Sequence, residues 1–390
     1  MLPDSALPAP NADARAHSER VVAHIGAEIV AAGGWIPFAR YMELALYAPG
    51  LGYYAAGATK FGAAGDFVTA PEMTPLFARA LAVQVAAVLA GTERREILEL
   101  GAGSGRLAAD LLVALAAGDA LPSRYLILEP SPELRRRQRA TIARDAAAHA
   151  GRVAWLDALP ASIAGAVVAN EVLDAVPAHI IARRGATIGE RGVVIGTDPS
   201  AAFAWAERPA NARLAALAAA RFPRGGDYAS EVNPAAEALV RSIGHRIVGG
   251  ALLLIDYGFP AAEYYHPQRS AGTVMCHYRH RAHADPFAWP GLTDITAHVD
   301  FSAMAAAGVR AGLTVAGFTA QAPFLLGCGI LEQLAAAGAP ASLAYIKAAA
   351  PVQKLLSPAE MGELVKVLAL AKTEGIAWPG FALADRAHRL

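Results

Sequence analysis

The run Ile97-Leu98-Glu99-Leu100, followed by glycines at 101, 103 and 105, constrains this chain more than any other stretch. An apolar run ending in a glycine turn and continuing into the helix-forming segment Leu107 to Ala117 is the local plan of a nucleotide-binding βα unit. Glycines let such a turn tighten and let backbone approach a ligand with no Cβ in the way. Their spacing then separates ligands. A dinucleotide fingerprint reads G-x-G-x-x-G, and its third glycine would fall at position 106, which is Arg106. No G-K-[ST] phosphate loop occurs either. The turn favours a ligand without phosphates.

From Ile97 the pattern alternates strand and helix. It predicts strands at 97–100, 125–128, 153–155, 166–169 and 251–255, with helices near 104–117 and from Pro132 to about Ala148. Later strands near 313–319 and 365–371 complete a sheet of seven. Short, nearly continuous apolar strands alternating with helices describe an α/β, mostly parallel, doubly wound sheet buried on both faces. The core is expected over 91–178 and 250–375, after an unstructured leader at 1–17 and a helical segment over 18–90 that packs on the core. Residues 179–249 form an insertion with hairpin-like pieces, and 257–300 a polar loop region.

In an open parallel sheet, ligands bind beyond the carboxyl ends of the strands. Glu99, Glu129, Asp157, Asn170-Glu171 and Asp256 all stand at or just past predicted strand ends. Any one of them alone reads as a solvated loop residue; five in succession mark a ligand edge. An acid such as Glu129 after the second strand can accept hydrogen bonds from both hydroxyls of a ribose, and would repel a 2′-phosphate. Amides at the helix start after Gly101–Gly105 suit a carboxylate.

Bulk properties exclude several partners. Lys+Arg and Asp+Glu both number 34, so no charge excess advertises nucleic acid or an anionic membrane. The mean hydropathy of +0.33 is high, yet no apolar run approaches the roughly 18 residues of a spanning helix. The N-terminus shows no signal-peptide pattern, and Cys276 and Cys328 are far apart with no CxxC. A reducing, cytoplasmic setting is expected. The run Cys276 to His283, with His266 upstream, lacks the spacing of a closed zinc site, so no metal is expected. Its basic character is too short and mixed to indicate RNA.

The stretch from Glu99 to Gly105 also reads E-x-G-x-G-x-G, the first motif of S-adenosylmethionine-dependent methyltransferases. Around it stand Gly65 to Glu72 (GDFVTAPE), Asn170 to Pro177 (NEVLDAVP), Glu231 to Pro234 (EVNP), Asp256-Tyr257-Gly258 and Gly291 to Phe301 (GLTDITAHVDF). In this order, from about residue 20 to 375, they resemble the MidA family. Its members are class I methyltransferases with a Rossmann-like fold, and include a mitochondrial complex I assembly factor that methylates an arginine of a core subunit. One departure is Pro130 directly after Glu129, where a small apolar residue is expected.

The resemblance implies S-adenosylmethionine as cofactor and S-adenosylhomocysteine as product. Glu99, Gly101, Gly103 and Gly105 would hold the amino-acid end, Glu129 the ribose and Asp157 the adenine edge, with Asn170 beside them. Gly65, Asp66 and Thr69 would cover the cofactor, on the resemblance alone. The implied substrate is a protein arginine, with a respiratory complex I subunit as partner.

A guanidinium is charged at all accessible pH, so methylating it requires carboxylates that orient the fork and receive a proton. Glu171 and Asp174, spaced i, i+3 and expected on one side of a first helical turn, are the catalytic candidates; helix capping is their plainer role. Acceptor contacts are expected from Asp256, Tyr257, His277, His280, Asp294, His298 and Asp300. Three alternatives stay open: another acceptor such as a small molecule, a nucleotide-sugar or NAD enzyme, and a cofactor-binding assembly factor that acts by contact. Oligomeric state is also open, a homodimer included.

Overall fold

A computed structural model describes residues 7–56, 69–198 and 201–390. The chain divides into two units. One comprises Val68–Asp174, Ala236–Ala261 and Val299–Leu390, the other Met1–Phe67, Ala175–Ala235 and Ala262–His298.

The first unit is built on strands β1 (Glu96–Leu100), β2 (Arg124–Leu128), β3 (Val153–Leu156), β4 (Ile163–Asn170), β5 (Ile247–Phe259), β6 (Thr314–Ala320) and β7 (Val365–Ala371). Their order across the sheet is β3-β2-β1-β4-β5-β7-β6. Neighbours among β1 to β5 run parallel, and β7 lies antiparallel between β5 and β6. The chain winds one way from β1 and the other way from β4, so the switch point lies at the carboxyl ends of those two strands. Every residue of β1 and β7 is buried, as expected of strands covered on both faces. Ile97, Tyr125, Val168 and Leu253 share the core with Phe77, Leu81, Leu111 and Leu112 from the flanking helices. Those helices carry the caps their sequences advertise. Thr74 Oγ1 accepts from Leu76 N ahead of Pro75–Ala90, and Ser131 Oγ accepts from Leu134 N ahead of Pro132–Asp145.

In the second unit the helix Ala12–Ala31 begins inside the expected leader. Asn11 Oδ1 accepts from Ala14 N at 2.9 Å and Asp13 lies in the first turn, so the N-terminus is capped and charge-matched. Ser18, Val21, Ile25 and Ile29 form its buried stripe. The strands His179–Arg184, Thr187–Ile195, Phe203–Pro209 and Tyr228–Val232 pair antiparallel, where the sequence showed hairpin-like pieces. The 257–300 region is more ordered than a loop. Its first residues still belong to β5, and Met275–Tyr278 pairs with both Arg281–His283 and Asp294–Thr296. Val21, Ile25, Phe38, Tyr41, Ile180, Val193, Phe203 and Ile295 form one core. The expected helical segment 18–90 is therefore split. Helices Ala12–Ala31 and Phe38–Tyr47 pack with the insertion, while Pro75–Ala90 packs on the parallel sheet. Among the described residues no helix is long and apolar enough to cross a membrane.

Candidate active site

At the end of β1, Gly101, Gly103 and Gly105 all have positive φ, at +60°, +51° and +84°. A Cβ on Gly105 would come 2.8 Å from Gln138 Cα, and one on Gly101 would come 2.9 Å from Val172 Cγ2. Neither position accepts a side chain, and the Gly101 backbone stays exposed for a ligand. Gly105 N donates to Ala102 O at 2.7 Å, closing the turn ahead of helix Arg106–Ala117. Arg106, standing where a dinucleotide loop needs glycine, is neutralised by Asp145 at 2.9 Å and Asp110 at 3.6 Å.

Glu99 lies within β1 rather than past its end. Its Oε2 accepts from the Tyr125 hydroxyl at 2.7 Å. Burial pushes this carboxyl up from 4.5 to about 7, against the Tyr125 hydrogen bond and with the charge of Glu129 adding to the rise. Glu129 follows β2 directly. Its Oε1 accepts from Ser131 N at 2.9 Å and its Oε2 from Gln138 Nε2 at 3.1 Å. Burial raises its pKa, opposed by those two donors and by Arg135. Each oxygen keeps a second lone pair, so the group still has capacity for a vicinal diol. The unexpected Pro130 leaves these bonds intact. Asp157 is tethered at the rim, with Oδ1 accepting from Arg135 at 2.7 Å and a side chain 92% exposed.

Asn170 and Glu171 close β4 on the other side of the switch point. Glu171 is non-glycine at φ +52°, a conformation that costs about 1–2 kcal/mol and persists where neighbours over-determine it. Its amide donates to Ile255 O at 2.8 Å. Its Oε1 accepts from Ala70 N at 3.3 Å and Asn170 Nδ2 at 3.2 Å. Asn170 Oδ1 is buried without a hydrogen-bond partner among the described residues.

Two expectations are corrected here. No helix follows β4; residues 171–176 form an irregular turn. The cause is Asp256, whose Oδ2 accepts from the successive amides of Val172, Leu173 and Asp174 at 3.1, 2.8 and 3.3 Å. Its Oδ1 takes Tyr257 N at 2.8 Å. Asp256 was expected as an acceptor contact, but among the described residues its hydrogen bonds come from backbone amides, at 1% exposure beneath the turn. Burial raises it from 3.8 to about 7 against those four amides. Tyr257 and Asp174 do stay with Glu171. Burial first, then the charges of Glu171, Asp174 and Asp256, push the Tyr257 hydroxyl well above its ordinary range.

Thr69 caps the short turn Ala70–Met73, its carbonyl taking the amides of Glu72 and Met73. From this turn Glu72 accepts a hydrogen bond from Ser104 of the glycine loop, while Ala70 reaches Glu171. Gly65 and Asp66 lie outside the described residues. Asp300, expected at the acceptor, caps helix Phe301–Arg310, with Oδ1 accepting from Ala303 N at 3.0 Å.

His277, His280, Asp294 and His298 belong to the second unit. His277 sits on the central strand of the three-stranded sheet in register with Asp294, and burial lowers its pKa. Asp294 Oδ1 accepts from the Tyr54 hydroxyl at 2.9 Å. His298 donates its amide to Thr273 Oγ1 at 3.0 Å. His280 is the exposed tip of a hairpin, at φ +60° beside Arg279 at +47°. Glu231, in a motif but never nominated, takes the amides of Thr273 and Val274 and the Tyr264 hydroxyl, bracing this region. Among the described residues no cluster of three His, Cys, Asp or Glu could hold a metal.

Sequence reading also passed over Gln138 and Tyr125, the buried partners of Glu129 and Glu99. The available signal was weak: a polar residue on the inward face of the helix after β2, and a Tyr at a central strand position.

The sheet order, the glycine turn after β1 and the acid after β2 define a class I methyltransferase. Residues 76–319 match the family described as "Putative S-adenosyl-L-methionine-dependent methyltransferase". This chain belongs to that family, and its methyl donor is S-adenosylmethionine. It is similar to a Burkholderia thailandensis protein solved bound to S-adenosyl-homocysteine, with 52% identity, TM-score 0.94, and 99% of this chain and 100% of that one covered. It is also similar to the curated relatives named protein arginine methyltransferase NDUFAF7, mitochondrial. The zebrafish (Danio rerio) protein is 28% identical, covering 92% of this chain and 89% of the relative, and the Mus musculus protein 29% identical, covering 86% and 81%.

Proposed function

We propose that this protein transfers a methyl group from S-adenosylmethionine to an arginine side chain of a protein substrate. The observation that carries this reading is the acidic corner after β4, where Glu171, held at φ +52°, shares its surroundings with Asp174 and Tyr257. The names of the NDUFAF7 relatives support the same acceptor. A complex I subunit is the candidate partner that the sequence resemblance implies, and the cytoplasm the compartment, in keeping with two free, buried cysteines.

The residues present fit the donor. Gly101 and Gly105 leave no room for side chains, Glu129 keeps lone pairs for a ribose, and Asn170 Oδ1 offers an unused acceptor. S-adenosylmethionine supplies a methyl group on a positively charged sulfur. The protein's part is alignment and proton handling. Glu171 and Asp174 hold the guanidinium fork, concentrate its charge away from the attacking nitrogen, and Glu171 takes the proton lost as the N–C bond forms. Tyr257 confines the corner and keeps its hydroxyl proton.

The test is incubation of the full chain with methyl-labelled cofactor and cell lysate, followed by acid hydrolysis and amino-acid analysis. Label is expected in methylarginine, and Glu171→Gln is expected to lower it by at least about 100-fold. Label in another amino acid or a small molecule would replace the acceptor, and equal transfer by the variant would remove Glu171 from the chemistry.

A further inference from the structure

Gln138 sits in the middle of helix Pro132–Asp145 with 0% exposure, and its side-chain amide meets three separate parts of the donor site. Nε2 donates to Glu129 Oε2 at 3.1 Å and to the Gly103 carbonyl at 3.1 Å. Oε1 accepts from Trp155 Nε1, on β3, at 2.8 Å. Donor and acceptor chemistry leaves this amide one orientation. An indole N–H can only donate, so the oxygen must face Trp155. The two N–H bonds then point at the two remaining partners, a carbonyl and a carboxylate, which can only accept. Arg139 of the same helix stacks over the Trp155 ring at 4.7 Å and holds the indole that sets this direction.

We propose that Gln138 is the positioning residue of the donor site, locking the carboxylate of Glu129 to the glycine turn and aiming it at the ribose hydroxyls. This rests on the assignment of Glu129 to the ribose, and is independent of which acceptor is methylated. Gly105 belongs to the same device, because the Gln138 backbone packs where a Cβ on residue 105 would lie. No other side chain among the described residues joins the turn after β1, the acid after β2 and β3 in this way.

Among the described residues, the charges facing Glu129 are few. Arg135 approaches from the same helix, already engaged with Asp157, and Glu99 lies on β1. Gln138 is one of the donors that oppose the upward push of burial on Glu129. Without it the carboxyl protonates at higher pH, and a protonated Glu129 offers the ribose a poorer acceptor. Loss of Gln138 therefore moves the pH at which donor affinity falls upward. A residue that merely filled space would weaken binding without moving that midpoint.

The experiment is calorimetric titration of the full chain, from pH 5 to pH 8, with S-adenosylhomocysteine and with its 2′-deoxy analogue. Wild type is expected to prefer the natural ribose by about 10-fold or more. Gln138→Leu is expected to weaken S-adenosylhomocysteine by roughly 10- to 100-fold, to lose most of the preference over the 2′-deoxy analogue, and to shift the pH midpoint upward. Trp155→Phe frees the amide to turn without removing it, so it decides the question if the leucine variant does not fold. It is expected to show the same upward shift with a smaller loss, about 3- to 10-fold. Variants that weaken both ligands equally, or keep the wild-type midpoint, would overturn the proposal. A wild type that ignores the 2′-hydroxyl would overturn it earlier, at Glu129 rather than at Gln138.

Discussion

Glu99 shows what a single carboxyl at this site costs. Its pKa is raised to about 7, against 4.5 ordinarily, so the folded state holds a proton that the unfolded chain releases across that interval. The stability tied to that proton is present in full below about pH 4.5 and is lost as pH rises through 7, a change on the order of 3 kcal/mol. Glu99→Gln keeps an oxygen for Tyr125 and removes the titration. Scanning calorimetry should therefore show a melting temperature that falls less steeply between pH 5 and 8 in the variant than in wild type; an unchanged slope would contradict the account. Asp300 tests a different role. As a helix cap, its replacement by Ala should cost about 1 kcal/mol of stability and leave methyl transfer per folded molecule unchanged, whereas a substrate contact would show in KM. Residues that end strands were legible because the carboxyl ends of parallel strands are where an open sheet of this kind binds ligands. Gln138, Tyr125 and Glu231 were not, because a buried polar side chain is recognised by its partners, and those lie far away in sequence.

At the scale of elements, the glycine turn and the 171–176 turn are two loops shaped from opposite sides. The first depends on missing side chains. Gly105→Ala should cost about 2 kcal/mol or more, through left-handed strain and collision with Gln138, and should weaken donor binding measurably by calorimetry. The second depends on one carboxylate. Asp256→Asn replaces an oxygen with a donor, so it cannot take the three amides and Tyr257 together. It should lower kcat about 10- to 100-fold while leaving S-adenosylhomocysteine affinity within about 3-fold; an equal loss in both would place Asp256 in direct donor contact. The strands themselves were legible to within a few residues, since apolar runs of this length report burial on two faces. The turn after β4 was not. Its sequence, Glu171 to Asp174, reads as a helix start, and only a carboxylate some eighty residues later overrides that propensity.

For the molecule as a whole, periodicity reports which face of an element is buried but not what covers it. Phe38–Tyr47 carries apolar residues at helical spacing, yet its packing with Ile180, Val193 and Phe203 cannot be read from that spacing. The sheet order was more accessible, because parallel strands joined by helices admit few arrangements. That order puts the glycine turn, Glu129, Asp157 and Asn170-Glu171 on one edge, and the claim on which everything else depends is that this edge holds a methyl donor. Calorimetric titration of the full chain with S-adenosylhomocysteine and with NAD tests it most directly. The account predicts one S-adenosylhomocysteine per chain and no heat of binding for NAD. Binding of NAD without S-adenosylhomocysteine would contradict it.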